Sequence, residues 1–242
     1  MIQIVRAAER QIIVDEKQVH HVLPLERFSE NHIDRSLLQV EKIDYVILHG
    51  SYYKKMHRHE NDQILFYIRK GVMLYEDTSG MQVPLYKSHL MMINAGKGLS
   101  HEETIPNGNE SVEMLQVFIH TQEYDLPSRV QFHTLKEIYS INCWRLIGGN
   151  EKSKAPLNIR SNVLFYDVRL LNDIIKTPPL NNRMGLLYVF DGAVELSENN
   201  INLEKGDSVV IKEEDISLKT TSHADLVFII LNEKSSSLES SF

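Results

Sequence analysis

Short apolar runs of strand length, with no convincing helical stripe among them, are what most constrains how this chain can fold. They include Ile64 to Ile68, Leu115 to Ile119, Val163 to Leu171, Leu186 to Phe190 and Leu226 to Leu231. β-Branched and aromatic residues are plentiful in them, and turn residues separate them. The most helical stretch, Thr134 to Ile138, is brief. Closely spaced strands of this kind predict an all-β sandwich or barrel.

The runs also repeat. Tyr67-Ile68-Arg69-Lys70-Gly71-Val72-Met73-Leu74 echoes Tyr188-Val189-Phe190-Asp191-Gly192-Ala193-Val194-Glu195. In both, a strand reaches a glycine and a second strand follows, which reads as a hairpin with glycine at its positive-φ position. Leu85 to Ile93 echoes Leu203 to Ile211 at nearly the same spacing, and each half closes on an apolar strand, Met114 to His120 and Leu226 to Leu231. Two echoes in order argue for two copies of one small β-fold.

The copies differ in chemistry. His57-Arg58-His59 and His101-Glu102-Glu103 each hold metal-capable residues two apart. On an extended strand, residues two apart share a face. His57 with His59, and His101 with Glu103, therefore offer three imidazoles and a carboxylate if the strands meet, a set that suits a first-row divalent metal. Carried across the echoes, these positions fall near Pro178, Leu180, Lys219 and Thr221, where no ligand type survives. One metal is expected, in the first copy.

Composition narrows the class. The 242 residues carry a net charge of −7 and no Lys/Arg-rich run, so direct binding to nucleic acid or anionic lipid is not expected. The N-terminus meets Arg6 too early for a signal peptide, and no apolar run is long enough to span a bilayer. A soluble, cytoplasmic protein is expected. The single cysteine, Cys143, excludes an intramolecular disulfide and reads as a buried structural thiol beside Trp144.

The motifs resemble the pirin family, a branch of the two-domain cupins. The similarity runs through His57-Arg58-His59 with Gly71 twelve residues beyond, Asp77-Thr78-Ser79-Gly80, Ala95-Gly96-Lys97-Gly98-Leu99-Ser100-His101-Glu102-Glu103 and Leu115-Gln116-Val117-Phe118-Ile119. Arg6-Ala7-Ala8-Glu9-Arg10 and Leu203-Glu204-Lys205-Gly206-Asp207 also fit. The resemblance implies a bicupin of two stacked β-barrels. It places an N-terminal barrel over 1–125, a connection over 126–160, a C-terminal barrel over 161–234 and a frayed tail over 235–242. It also implies one divalent transition metal held by His57, His59, His101 and Glu103, with Fe(II) favoured over Mn, Ni, Cu, Co or Zn.

Several residues depart from the family pattern. Arg58 stands where proline is usual, Asn61 or a neighbour replaces a glycine, and Gln63 replaces a glutamate. The approach Tyr52-Tyr53-Lys54-Lys55-Met56 is one residue longer than usual, and the stretch around Phe28-Ser29 matches poorly. These changes border the metal and bear on substrate range. Gln63 reads equally well as a partner of a ligand histidine or as a plain strand residue. Gly96-Lys97-Gly98 reads as a tight turn aiming His101, since it lacks the remainder of a phosphate loop.

The resemblance implies a quercetin 2,3-dioxygenase-like activity, with a flavonol or similar hydroxy-ketone and O2 as substrates and Glu103 as ligand and general base in turn. The alternative it implies is a non-enzymatic, iron-dependent, redox-responsive regulator acting through a protein partner.

Overall fold

The structure, a computed structural model, describes residues 2–23, 39–106 and 111–231. The tail over 235–242 and the Phe28-Ser29 stretch lie outside them. Among the described residues there is no α-helix, only two single 3-10 turns, and no helix long and apolar enough to cross a membrane. Thr134 to Ile138, the most helical stretch by sequence, is the end of a strand followed by bends, with Leu135 turned into the core.

The N-terminal half builds two sheets. One holds β2 (Gln11–Val14), β3 (Gln18–Val22), β4 (Val40–Leu48), β6 (Asp62–Lys70), β9 (His89–Asn94), β11 (Val112–His120) and β12 (Arg129–Thr134), in the order β12-β9-β6-β11-β4-β3-β2. The other holds β5 (Tyr53–His59), β7 (Val72–Asp77), β8 (Gln82–Tyr86) and β10 (Leu99–Thr104), in the order β5-β10-β7-β8. The third sheet contains β1 (Ile2–Val5), β13 (Arg145–Gly149), β14 (Leu157–Asn158), β15 (Val163–Leu171), β16 (Ile174–Lys176), β17 (Met184–Leu196), β18 (Ile201–Glu204), β19 (Ser208–Lys212), β20 (Ser217–Lys219) and β21 (His223–Leu231). Its path runs β1-β19-β17-β21-β15-β13-β14, with β16, β18 and β20 branching from it.

The boundaries of the halves differ from those read in the sequence. β1 pairs with β19, so the first residues serve the second barrel. Residues 126–160 are not a bare connection either: β12 pairs with β9 on one side, while β13 pairs with β15 on the other.

The duplication has a structural counterpart, but its glycine does not close a hairpin. β6 pairs with β9 and β11, whereas β7 pairs with β8 and β10. The strand turns a corner from one sheet to the other at Gly71, and β17 does the same without a break at Gly192. The two glycines have φ of +75° and +76°. A Cβ would lie 2.5 Å from the Ser111 carbonyl oxygen at the first and 2.2 Å from the His223 carbonyl oxygen at the second. Both carbonyls sit where the closing strand begins, so conformation and close approach both require glycine. The register agrees as well: Tyr67 pairs with Leu90 and Tyr188 with Ser208, as the two echoes align them. Opposite Lys219, however, stands Ile174, so the counterpart of β5 lies a few residues before Pro178.

Side-chain alternation explains why the central strands are apolar on both faces. In β6, Ile64, Phe66 and Ile68 fill the first barrel while Leu65 and Tyr67 enter a core shared by both halves. In β17, Leu187 and Val189 fill the second barrel while Leu186, Tyr188 and Phe190 enter the shared core. Each fully buried side chain of this kind contributes about 1.5–3 kcal/mol. Polar bonds tie the rim: Tyr67 Oη donates to Asp167 Oδ2 at 2.9 Å, and Arg69 Nη2 meets Asp225 Oδ2 at 3.0 Å. The molecule is a bicupin, two β-barrels packed face to face. Cys143 is exposed, contrary to expectation. Its neighbour Trp144 takes the packing role, with its ring 5.7 Å from Phe228 and Nε1 donating to the Lys176 carbonyl at 2.8 Å.

Candidate metal centre

β10 runs between β5 and β7, and this position governs the burial of its side chains. His101 and Glu103 are buried, while His57 and His59, on the edge strand β5, are partly open. His57 pairs directly with His101 across the ladder. Alternation brings His59 to the same face, and the three rings cluster with centroids 4.4, 4.9 and 5.2 Å apart. Each offers a ligand nitrogen within 4.8 Å of the other two. Glu103 is not part of that three-residue group. It stands beside it, with Oε1 3.2 Å from His101 Nε2.

The remaining ring nitrogens are held from behind. His57 Nδ1 lies 3.1 Å from the Lys55 carbonyl oxygen, which can only accept, so Nδ1 carries the hydrogen and Nε2 keeps its lone pair. His59 Nδ1 lies 2.7 Å from Asp62 Oδ2, which leaves its Nε2 bare in the same way. A carboxylate or carbonyl behind an imidazole is the arrangement that orients metal-binding histidines. Two buried ring nitrogens, His57 Nε2 and His101 Nδ1, have no hydrogen-bond partner among the described residues. Such a group, left alone, costs about 1–3 kcal/mol and calls for a ligand. The donor set of neutral imidazoles beside a carboxylate fits a divalent transition metal.

Electrostatics favour the same state at His57 and an ionised Glu103. Burial, then the Lys54 and His101 charges, lowers the His57 pKa to about 4, so the ring is neutral near pH 7. Burial alone would raise the Glu103 pKa. The hydrogen bond from His101 and the Lys54 charge, with the nearby His101 and His57 rings, outweigh it and hold the carboxyl below its ordinary value. Glu102 faces the other way and accepts the Tyr53 hydroxyl at 2.8 Å.

Neither Arg58 nor Gln63 meets the histidines. Arg58 points outward, donating to the Lys97 carbonyl and to Glu60, both at 2.8 Å. Its guanidinium covers Gly98, where φ is +138° and a Cβ would lie 2.0 Å from Nη2. Arg58 thus staples β5 to the Ala95–Gly98 turn that aims β10. Gln63 is buried elsewhere, accepting from Asn94 at 3.1 Å and Arg160 N at 2.6 Å and donating to Ser161 Oγ at 2.8 Å. It binds the 126–160 segment to the first barrel. Asn61 takes the left-handed conformation, φ +55°, that a glycine would otherwise supply.

Three residues at the site escaped the sequence reading. Asp62 carried a usable signal, standing three residues after His59. Tyr75 did not: its ring lies 5.4 Å from that of His101, and its hydroxyl donates to Asp77 at 3.0 Å, through pairing across β7 and β10. Lys54 is the third. Between His101 and Glu103 the ladder shifts, so that His57 faces His101 but Lys54, three residues back, faces Glu103. The extra residue of the Tyr52–Met56 approach is this bulge. Beside it opens a cavity of about 720 Å³ between the β2–β3 turn and the start of β5, with Tyr52 and Lys54 on its wall.

Comparison with known proteins gives the chain's relatives. The Pirin family model matches residues 7–119. A Zymomonas mobilis protein provisionally assigned as a quercetin 2,3-dioxygenase is 25% identical over 182 residues, covering 74% of this chain and 76% of its own. A Pasteurella multocida protein with the same provisional assignment is 24% identical, covering 78% and 79%. The crystal structure of YhhW from Escherichia coli superposes with a TM-score of 0.83 at 18% identity, covering 96% of this chain and 98% of that one. A second structure of that bacterial pirin, in complex with nickel(II), gives 0.80 at 19% identity, covering 96% and 100%. The chain is thus similar to the pirin family over residues 7–119, and its whole length is folded as two cupin barrels.

Proposed function

We propose that the chain is a metal-dependent oxygenase of the quercetin 2,3-dioxygenase type, acting at a mononuclear centre held by His57, His59, His101 and Glu103. The observation that carries this reading is the convergence of three imidazoles with two buried, partnerless nitrogens. The provisional assignments of the relatives support the chemistry, and the nickel-bound pirin supports a transition metal. Fe(II) is the metal we favour.

A bound divalent metal would supply about two open positions for a hydroxy-ketone and dioxygen, and acidity to the substrate hydroxyl. The protein's own part follows from its side chains. Glu103, below its ordinary pKa, is ionised and able to receive the 3-hydroxyl proton of a flavonol. Lys55 and Asp62 fix two imidazoles in the tautomer that presents Nε2. Phe66 and Tyr75, packed against His101 from within the barrel, keep water from that side.

The test is oxygen uptake by iron-loaded protein over a flavonol panel, with carbon monoxide measured. Turnover is expected, and Glu103→Gln should impair it more than it impairs metal retention, while Glu102→Gln does little. Equal losses from both substitutions, or no oxygen uptake by folded, metal-replete protein, would overturn the reading. A redox-responsive regulator is then the second reading. The exposed apolar side chains Ile12, Ile13 and Val14 of edge strand β2 favour it, as a surface for a protein partner.

A further inference from the structure

The bulge in β5 has a consequence for what the centre binds. Regular alternation would place Lys55 on the face of His57 and His59. The shift between His101 and Glu103 instead sets Lys54 across from Glu103 and leaves Lys55 and Met56 exposed. Bulges beside functional sites re-aim side chains in this way. Residues paired directly across a ladder share a face, so Lys54 lies on the Glu103 side of the sheet. Yet Lys54 makes no hydrogen bond or close ion pair with any described residue. It is half-buried on the wall of the 720 Å³ cavity. Two acids also line that cavity: Glu16, and Asp15, which accepts from the backbone of Lys17 and Gln18 at 2.9 and 3.0 Å and from the Gln18 amide. A half-desolvated cation with no hydrogen bond or close ion pair among the described residues, paired across the ladder with a carboxylate that would be committed to a metal, can take an anion.

We infer that Lys54 is a specificity-determining residue that takes a negatively charged group on the substrate, so that the preferred substrate is an anionic hydroxy-carbonyl compound rather than an uncharged one. The inference deepens the proposed function and rests on its metal centre. Its chemistry is recognition alone: the hydroxy-carbonyl oxygens go to the metal, and a carboxylate or phenolate at the far end of the molecule accepts from the Lys54 ammonium.

The experiment is calorimetric binding of two hydroxypyranones to nickel-loaded protein. Comenic acid and kojic acid share one chelating hydroxy-ketone, and differ in bearing a carboxylate or a hydroxymethyl group. Wild type should bind comenic acid about tenfold more tightly, the effect of one charge-assisted hydrogen bond. Lys54→Met should bring the two affinities together, and Lys54→Arg should restore the preference. Equal affinities in wild type, failure of comenic acid to bind, or equal weakening of both ligands by Lys54→Met would overturn the inference. The last result would make Lys54 a counter-ion of Glu103 only. Oxygen uptake with an uncharged flavonol is a separate measurement, so the inference can fail while the oxygenase reading stands.

Discussion

The two barrels use the same corner glycine and the same strand order, yet line their interiors at the corresponding strands with opposite chemistry. In the first, β5 and β10 set His57 across from His101. In the second, β16 and β20 set Ile175 across from Leu218, and both pack into the apolar interior. The first pair of strands has seven and six residues, long enough for ligands two apart on each; the second has three and three. Among the described residues, no second group of metal-capable side chains comes together. One copy of the fold thus tolerates unsatisfied ring nitrogens at its centre, and the other supplies apolar burial through its own interior and the shared core. The difference shows how duplication separates stability from chemistry.

The largest expected effect comes from separating the copies. A fragment ending near Ile147 would bare Leu65, Tyr67, Leu115 and Val117 of the shared core and strand β1 without β19. It should aggregate or unfold without cooperativity by circular dichroism and size-exclusion chromatography. A soluble, monomeric, metal-binding fragment as stable as the full chain would break the comparison.

A point substitution in the second barrel sharpens it. Leu218→Ala removes a fully buried side chain and should lower stability by about 2–5 kcal/mol in urea unfolding. Metal content of the folded variant should not change. Loss of metal from folded Leu218→Ala would mean that the second barrel contributes to the centre directly.

The smallest effect concerns the seam between the copies. Glu113 accepts the Tyr45 hydroxyl at 2.6 Å, and lies 3.2 Å from Lys70 and 3.5 Å from Lys205 of the second barrel. Burial would raise its pKa, but these partners outweigh it and hold the carboxyl below its ordinary value. A depressed carboxyl stabilises the fold above its unfolded pKa, and that contribution is lost as pH falls through the folded one. Unfolding midpoints measured from pH 7 downward should therefore fall less steeply for Glu113→Gln than for wild type. Identical profiles would remove this group from the seam.

Much of this was legible in the sequence because strand chemistry is local. The apolar runs, both glycine echoes and the i, i+2 ligand pairs follow from side-chain alternation, which needs no knowledge of partners. What was missed depends on pairing. The glycine at 71 reads as a hairpin until β6 and β7 are seen in different sheets. The exchange of β1 into the second barrel joins residues about two hundred positions apart, and no local pattern marks it. Arg58 and Gln63 depart from the family pattern close to the metal in sequence, but alternation and burial turn them toward a turn and a domain seam. The extra residue before His57 was visible, whereas its effect on Lys54 required the register of β5 against β10.

The central claim is that one metal binds per chain, in the first barrel, through the histidines of β5 and β10. Elemental analysis of freshly purified protein, followed by titration of the metal-stripped chain with iron(II) or nickel(II), tests it most directly. The account predicts saturation at one metal per chain for wild type and no bound metal for the folded double variant His57→Ala, His101→Ala. Two metals per chain, or full occupancy in the double variant, would contradict it.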